Sequence, residues 1–467
     1  MRKTIGAIGI TLTLLLTLGL GCGGSGVPKN VAERLKPMTL VWWGVNMTSE
    51  EVQPLIEGYR QIHPYVTVQY RKLRYDEYER AILDAFSEGA FAGPDIVSLP
   101  SAWTRRYQSK LFPEPEVITM PFVEQRGTVK KETFGELRTQ RLPTPIEVAN
   151  QFLDVVYDDV VLRTEDGTRE AIYGLPLHVD TLVLYANRDL LNAAGIPESA
   201  KTWSELQQHA QKLTRYDQTG NILQAAVAMG TGENVQRSFD ILSLLMMQNG
   251  AVMALSNGAP MFDRIPQALS GQRQSAPALD ALLYYTDFAN PDKLVYSWNA
   301  QQPDSLEAFL QGRVAYFFGY SYHKQIIESR APRINLAVTG VPHIAAAMNP
   351  ETGVVVGNDL IEGSQPVALN YADFWVQTIA ERTLHPNEAW DFVTFITTRP
   401  IVQQYLDIAK RPTALRRFVA MQFEDPEMRV FANQLLTTRT WYRGTNPDGA
   451  EQAFYQLMSD TLTGRVP

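Results

Sequence analysis

Apolar positions in this chain switch between strand-like and helix-like spacing from about residue 40 onward. Leu40-Val41-Trp42-Trp43 is a short apolar run that predicts a strand. Thr48-Ser49-Glu50-Glu51 is a T-x-x-E capping box. The helix it opens sets Val52, Leu55, Ile56, Tyr59 and Ile62 on one face and stops at His63-Pro64. Val66, Val68 and Tyr70 alternate as a second strand, and Tyr78, Ile82, Ala85 and Phe86 mark a second amphipathic helix. Gly93-Pro94-Asp95 then leads into the apolar run Ile96–Leu99. Strand, helix, strand, helix, strand in this order predicts parallel pairing in a doubly wound sheet. Ligands of such sheets bind beyond the carboxyl ends of the strands, here Trp43–Thr48 and Ser98–Trp103.

From Phe112 to about Glu170 the pattern breaks down into prolines, mixed charge and one helix, Ile146–Leu153, and reads as a surface elaboration without function. Leu182–Tyr185 is again strand-like, and Asn187-Arg188-Asp189 opens a helix that Gly195 can cap. Thr202-Trp203-Ser204-Glu205 is another capping box, with Trp203, Leu206, Ala210 and Leu213 turned inward. Helices are expected at Phe239–Met247, at Ala278–Ala289 and from Asp304 to Gly312, and a strand at Val314–Phe318.

The chain has 467 residues, too many for one ordinary core, so two or more lobes are expected. Its net charge is −8, and loss of a leader carrying Arg2 and Lys3 would leave 40 basic against 50 acidic residues, or −10. That balance argues against nucleic acid as a partner. Ile5–Leu20 is apolar or small and no charge falls between Lys3 and Lys29, a secretory-signal pattern. The sole cysteine, Cys22, closes Leu18-Gly19-Leu20-Gly21-Cys22, which resembles a bacterial lipobox. Gly19 stands where the usual leucine falls, with Leu18 one step further out. Lipidation of Cys22 is expected, with 1–22 as signal and lipobox and 23–37 as a flexible tether.

The stretch Gly174, Pro176, Asp180, Thr181, Tyr185, Asn187, Asp189 and Leu190 resembles the crossover segment of bacterial extracellular solute-binding proteins, the maltose-binding-like receptors of ABC importers. Ala186 departs from the second tyrosine often found in that family. Other wording follows in the same order: Trp43, Tyr59, His63-Pro64, Val66, Val68 and Gly93–Ile96, then Lys201-Thr202-Trp203, then Phe309, Gly312-Arg313-Val314-Ala315 and Gly319, and last Phe374–Ala380 with Asn387–Trp390 and Ala453–Gly464. The resemblance implies an α/β, two-lobed, periplasmic-binding-protein-like (type II) fold, each lobe a doubly wound, mostly parallel sheet flanked by helices, with hinge crossover strands between lobes. The expected lobes are 38–180 plus 341–385 and 181–340 plus 386–467, with passes near Val179–Val183, Val338–Val341 and Leu384–Asn387. It further implies a receptor that closes on a carbohydrate, works as a single copy on the outer face of the cytoplasmic membrane, and delivers its ligand to an ABC permease.

Catalytic and metal signatures are sparse. Six histidines, none in H-x-H or H-E-x-x-H spacing, and one cysteine suggest no metal site. Gly230-Thr231-Gly232 lacks the third glycine of a dinucleotide loop and no Walker A sequence occurs, so no cofactor is expected. Ser321-Tyr322-His323-Lys324 spells S-x-x-K but no K-T-G follows. Asp95 and Asp180 could be imagined as a glycosidase pair. The blander assignment is a turn residue and a ligand-contacting carboxylate. An envelope enzyme acting on glycans and a non-transporting sensor are the rival functions.

Sugar sites mix aromatic faces with carboxylates and amides. The chain supplies 8 Trp, 20 Tyr and 19 Phe. Candidate aromatics at strand ends or loops are Trp43, Trp103, Trp298, Tyr320, Tyr322, Tyr371 and Trp441, each either a ligand contact or a packing residue. Candidate polar partners are Asp180, placed on the crossover, with Ser98, Asn234, Arg237, Asn370 and Arg443.

Overall fold

The computed structural model describes residues 27–87, 93–126, 132–255, 258–271, 273–344, 347–348, 355–356 and 369–465. Cys22 and the leader lie outside them. Helix α1 (Lys29–Arg34) occupies part of the stretch expected to be a flexible tether. Val31 is buried in it, and Arg34 Nη1 donates to Thr119 O at 3.3 Å. Among the described residues, those up to 36 together with those within 119–138 form one unit, and the rest form another, larger one.

Its first sheet begins as the hydrophobic pattern predicts: β1 (Met38–Gly44), α2 (Ser49–Ile62), β2 (Val66–Lys72), α3 (Tyr75–Ser87) and β3 (Ile96–Pro100). β1 pairs in parallel with both β2 and β3. The Thr48 box forms in full: Thr48 Oγ1 accepts from Glu51 N at 3.3 Å and Glu51 Oε2 accepts from Thr48 N at 2.6 Å. The elaboration after Phe112 holds more structure than its sequence suggested. It contains a ribbon of β4 (Val117–Arg126) and β5 (Glu132–Arg141), two helices, α4 (Pro145–Gln151) and α5 (Asp154–Val160), and a hairpin of β6 (Val161–Arg163) and β7 (Glu170–Ile172). β8 (Leu175–Pro176) follows. Gly174 before it is required by close approach, since a Cβ there would lie 2.6 Å from Gln377 O.

After β9 (Asp180–Thr181) the chain enters the second sheet with β10 (Val183–Asn187), α6 (Arg188–Ala193), α7 (Trp203–Leu213), β11 (Arg215–Tyr216), β12 (Ile222–Val227), α8 (Ser238–Gln248), α9 (Pro277–Asp287), α10 (Ser305–Leu310), β13 (Val314–Gly319), α11 (Ser321–Arg330) and β14 (Leu336–Gly340). The strand order is β11-β12-β13-β10-β14. β12 and β13 run parallel, and β10 runs opposite to the β13 and β14 that flank it. A two-residue pair, β15 (Ala347–Met348) with β16 (Val355–Val356), precedes β17 (Asn370–Asp373) and β18 (Trp375–Ile379). β18 inserts between β3 and β8, giving the first sheet the order β2-β1-β3-β18-β8. α12 (Pro386–Thr398), α13 (Val402–Ala409), α14 (Arg416–Glu424), α15 (Arg429–Leu435), β19 (Thr438–Arg439) and α16 (Pro447–Leu462) complete the chain.

Two of the three expected passes fall elsewhere. Ile334–Val341 does not cross, because Leu336–Gly340 pairs with β10 as the edge of the second sheet. The return comes at β17–β18. Nor does the chain leave the first sheet at Leu384–Asn387. α12 packs on β18 and α2, with Phe392 edge-on to Trp42 (5.7 Å) and Tyr59 (5.1 Å), and α13 packs on α2. Residues 386–409 therefore belong with the first sheet rather than the second, held by an apolar α12 whose Ala389, Trp390, Phe392, Val393 and Ile396 are all buried. The third pass follows α13, where Val179 N donates to Pro412 O at 3.3 Å and His178 bridges Thr413. A small sheet, β19-β17-β9, draws one strand from each passage between the two larger sheets.

Candidate functional site

Asp180, the residue singled out on the crossover, is fully engaged within the protein. Its carboxylate accepts from Thr181 N at 2.9 Å, from Ser321 N at 3.0 Å and from Ser321 Oγ at 2.6 Å, and Arg411 Nη1 stands 3.6 Å away. Ser321 is the first residue of α11, so Asp180 neutralises that helix's positive end and satisfies one of its free N–H groups. Burial pushes its carboxyl up to about 6, against the pull of Arg411 and the Ser321 hydrogen bonds. Its partners come from α11 (Ser321), which follows β13 of the second sheet, and from the third pass (Arg411), so the carboxylate ties hinge segments together. Arg411 also lies over the Tyr322 ring at 5.3 Å.

The cleft lies elsewhere, between the carboxyl end of β3 and the start of α8. A cavity of about 160 Å³ is lined from the first side by Ser101, Ala102, Trp103 and Trp375, and from the second by Arg237, Phe239, Asp240, Trp441, Arg443 and Glu451. Asp159 and Asp373 also face it. Why these residues converge is local. Trp103 ends the short 3₁₀ turn that follows β3, and Asp373 is the last residue of β17. Arg237 sits at φ 62°, a left-handed position that breaks the chain just before the apolar helix α8 and projects the guanidinium from the helix start.

Charges in this cavity are mutually compensated. Arg237 pairs with Asp240 at 2.5 Å and Asp373 at 3.2 Å, and its guanidinium lies 4.6 Å from the Tyr320 ring centre. Asp240 also receives Tyr320 Oη at 2.9 Å and lies 3.5 Å from Arg443 Nη2. Burial raises the Asp240 carboxyl above its ordinary value, and the two arginines oppose that rise. Arg443 donates to Tyr371 Oη at 2.8 Å, while its buried Nε meets no acceptor among the described residues. Asp159 accepts from Thr440 Oγ1 at 3.1 Å, and burial pushes it up to about 6. Arg106 spans the rim, pairing with Glu79 at 2.7 Å and with Asp448 of α16 at 3.1 Å.

Of the candidates read from the sequence, Trp103, Arg237, Trp441 and Arg443 line this cavity. Tyr320 and Tyr371 stand behind it, holding Asp240 and Arg443, and Tyr322 lies on the hinge. The others are placed away from it. Ser98 is buried in the first sheet, joined to Trp42 Nε1 and Gln377 Oε1. Trp43 packs beside the first core under Arg71. Trp298 is fully buried in the second core, and Asn234 donates to Asn299 O and Gln302 O to fix loops there. Asn370 donates to Thr437 Oγ1 at 2.6 Å in the small sheet. The sequence reading missed Asp159, Asp240, Asp373, Trp375 and Glu451. Asp240 had a signal, an acid three residues after Arg237 in the first turn of an apolar helix. Asp159 lies within the stretch read as a functionless elaboration, which α5 instead turns into part of the cleft wall.

Comparison with known proteins bears on the fold. Among solved structures, a cyclo/maltodextrin-binding protein complexed with maltotetraose superposes with a TM-score of 0.64 at 15% identity, covering 92% of this chain and 93% of that one. The sugar-binding protein MalE of Xanthomonas citri gives 0.63 at 17% identity, with 92% and 93% covered. The GacH receptor of Streptomyces glaucescens, solved unliganded and with acarbose, gives 0.59 at 16% identity, with 92% and 94% covered. These likenesses establish the two-lobed fold. The family described as bacterial extracellular solute-binding protein matches residues 45–402, more than half of the sequence, and the chain belongs to that family of binding proteins.

Proposed function

We propose that this protein captures a carbohydrate between its two lobes and hands it, chemically unchanged, to a membrane permease of the ABC type. The observation that carries this reading is the cavity itself, in which the indoles of Trp103, Trp375 and Trp441 stand beside carboxylates and guanidiniums that could serve a ring of hydroxyls. Several similar structures carry sugars, among them maltotetraose and mannotriose. A ligand touching both lobes would stabilise the closed arrangement, and the permease would read that closure.

The dispositions of possible catalytic groups favour binding over turnover. Asp95 accepts from Val41 N at 2.9 Å and from Thr383 Oγ1 at 2.6 Å, and Asp180 caps α11, so neither faces the cavity. Ser321 Oγ donates to Asp180 at the buried start of α11, away from the cavity, and Lys324 turns toward Glu328 at 3.5 Å. Asp240 and Asp373 are each held by an arginine, and Asp159, the remaining cavity aspartate with a raised carboxyl, accepts from Thr440 Oγ1, so the recovery of intact ligand is the decisive observation. Membership of an extracellular family accords with export, and Cys22 is the proposed lipidation site. A fatty-acid probe should label wild type and not Cys22→Ser; equal labelling would reject the anchor.

A thermal-shift screen of glycans tests the function, followed by mass spectrometry of the ligand recovered from the protein. A stabilising glycan returned intact is expected. Stabilisation only by non-carbohydrates, or a hydrolysed product, would overturn the reading.

A further inference from the structure

Beside the cavity just described lies a second, of about 440 Å³, within the range of small-molecule sites. Ser101, Ala102, Asp159, Thr440 and Trp441 line both, so the two are compartments of one cleft. They meet where Thr440 donates to Asp159 at 3.1 Å. The walls of the two compartments differ in chemistry. The first is ringed by ion pairs. In the second, the wall contributed by the end of α8 and the loop after it is Met247, Ala251, Met253 and Ala254, continued by Leu369. Ala251 and Met253 belong to the second core, and Met247, Leu369 and Trp441 pack against that core. Facing that wall are Arg105, 5.0 Å over the Tyr442 ring, Arg439, 3.7 Å from Asp154, and the carboxylates of Asp158 and Asp159.

A sugar ring has hydroxyls around its whole rim. Hydroxyls turned to the Met247–Ala254 wall would be stripped of water without a partner there, whereas an alkyl or aryl group on that side would remove apolar surface from water and leave the polar side of the compartment to the rest of the ligand. Methionine, unbranched and polarisable, adapts to such groups better than a branched side chain. We propose that the ligand is an amphipathic glycoside, its carbohydrate seated among Trp103, Arg237 and Asp240 and its apolar aglycone lodged against Met247, Ala251 and Met253. This rests on the carbohydrate reading above and adds to it the chemical class of the group attached to the sugar. Asp159 and Thr440, at the junction, would face the glycosidic linkage.

The test uses paired probes: methyl and p-nitrophenyl glycosides of glucose, galactose, mannose and maltose, titrated calorimetrically into the purified protein. For each sugar that binds, the p-nitrophenyl member should bind about tenfold tighter than its methyl partner. Ala254→Trp, which fills the compartment, should bring the pair within about twofold while leaving methyl glycoside affinity unchanged. Met247→Gln keeps the volume and changes the polarity, and should cut the advantage even if the tryptophan variant misfolds. Equal affinity within every bound pair overturns this inference and leaves the carbohydrate receptor standing. An aryl advantage that both folded variants keep also overturns it, by placing the aglycone elsewhere. Binding of no glycoside in the panel, with a free glycan stabilising the protein in the thermal-shift screen, overturns this inference alone; no binding in either experiment brings down both readings.

Discussion

Replacing Asp180 with alanine separates a hinge role from a ligand-contacting one. The substitution removes the acceptor of Ser321 N, Ser321 Oγ and Thr181 N and leaves Arg411 beside a void in a region where Asp180 is 3% exposed. Breaking one side of a buried ion pair costs about 3–5 kcal/mol, and stranded buried donors account for part of that sum at about 1–3 kcal/mol each. A loss of about 3 kcal/mol in unfolding free energy is expected. Urea unfolding followed by tryptophan fluorescence and far-ultraviolet circular dichroism would measure it. If Asp180 instead faced ligand, as its place on the crossover suggested, stability would hardly change and affinity would fall. A stability loss below about 1 kcal/mol, with binding weakened about tenfold, would refute the hinge assignment. The pH dependence carries a sign as well. Burial holds the Asp180 carboxyl up to about 6, so folding favours its protonated form. Its contribution to stability is fully present below the unfolded value of about 3.9 and is lost as pH rises toward 6. The penalty of Asp180→Asn should therefore be larger at pH 4 than at pH 7, and a penalty that grew with pH would contradict the shift.

Further expectations follow from the cleft and its frame. Arg106→Gln removes the rim pair with Asp448 and should weaken binding about two- to fivefold, an effect that high salt abolishes in wild type, as calorimetry at two ionic strengths would show. Trp103→Ala and Trp441→Ala each remove an aromatic wall and should cost about 1–2 kcal/mol of binding, or about 5–30-fold, with Trp298→Phe as a control that moves stability but not affinity. Gly174→Ala forces a Cβ to within 2.6 Å of Gln377 O and should destabilise by about 1–3 kcal/mol, read as a lowered melting temperature.

The first sheet was legible because each of its elements announces itself locally. Strands β1 to β3 are short apolar runs, α2 has both halves of its capping box, and His63-Pro64 stops it where the structure does. α12 was misplaced for a physical reason: an apolar helix says that it is buried, not against which sheet, and the decision rests on Phe392 meeting Trp42 and Tyr59. Asp180 failed in the same way. Nothing near it tells whether a crossover carboxylate turns to the cleft or to Ser321, which lies 141 positions along the chain. The aromatics were chosen by position, and position found Trp103 and Trp441 but also Trp298, which is fully buried. Asp159, Asp240 and Asp373 carry no motif. They become a site only when α5, α8 and β17 meet, and that meeting is a property of the tertiary fold.

Under the proposed function a carbohydrate binds, intact, in the cavity between Trp103 and Trp441. A crystal structure of the protein with the tightest glycan from the screen tests it most directly. Unbroken sugar density against those indoles is expected, with hydroxyls within hydrogen-bond reach of Asp240 or Asp159. Sugar seated instead in the groove beside β14, where His343 and Lys201 lie, or a glycosidic bond found cleaved, would contradict it.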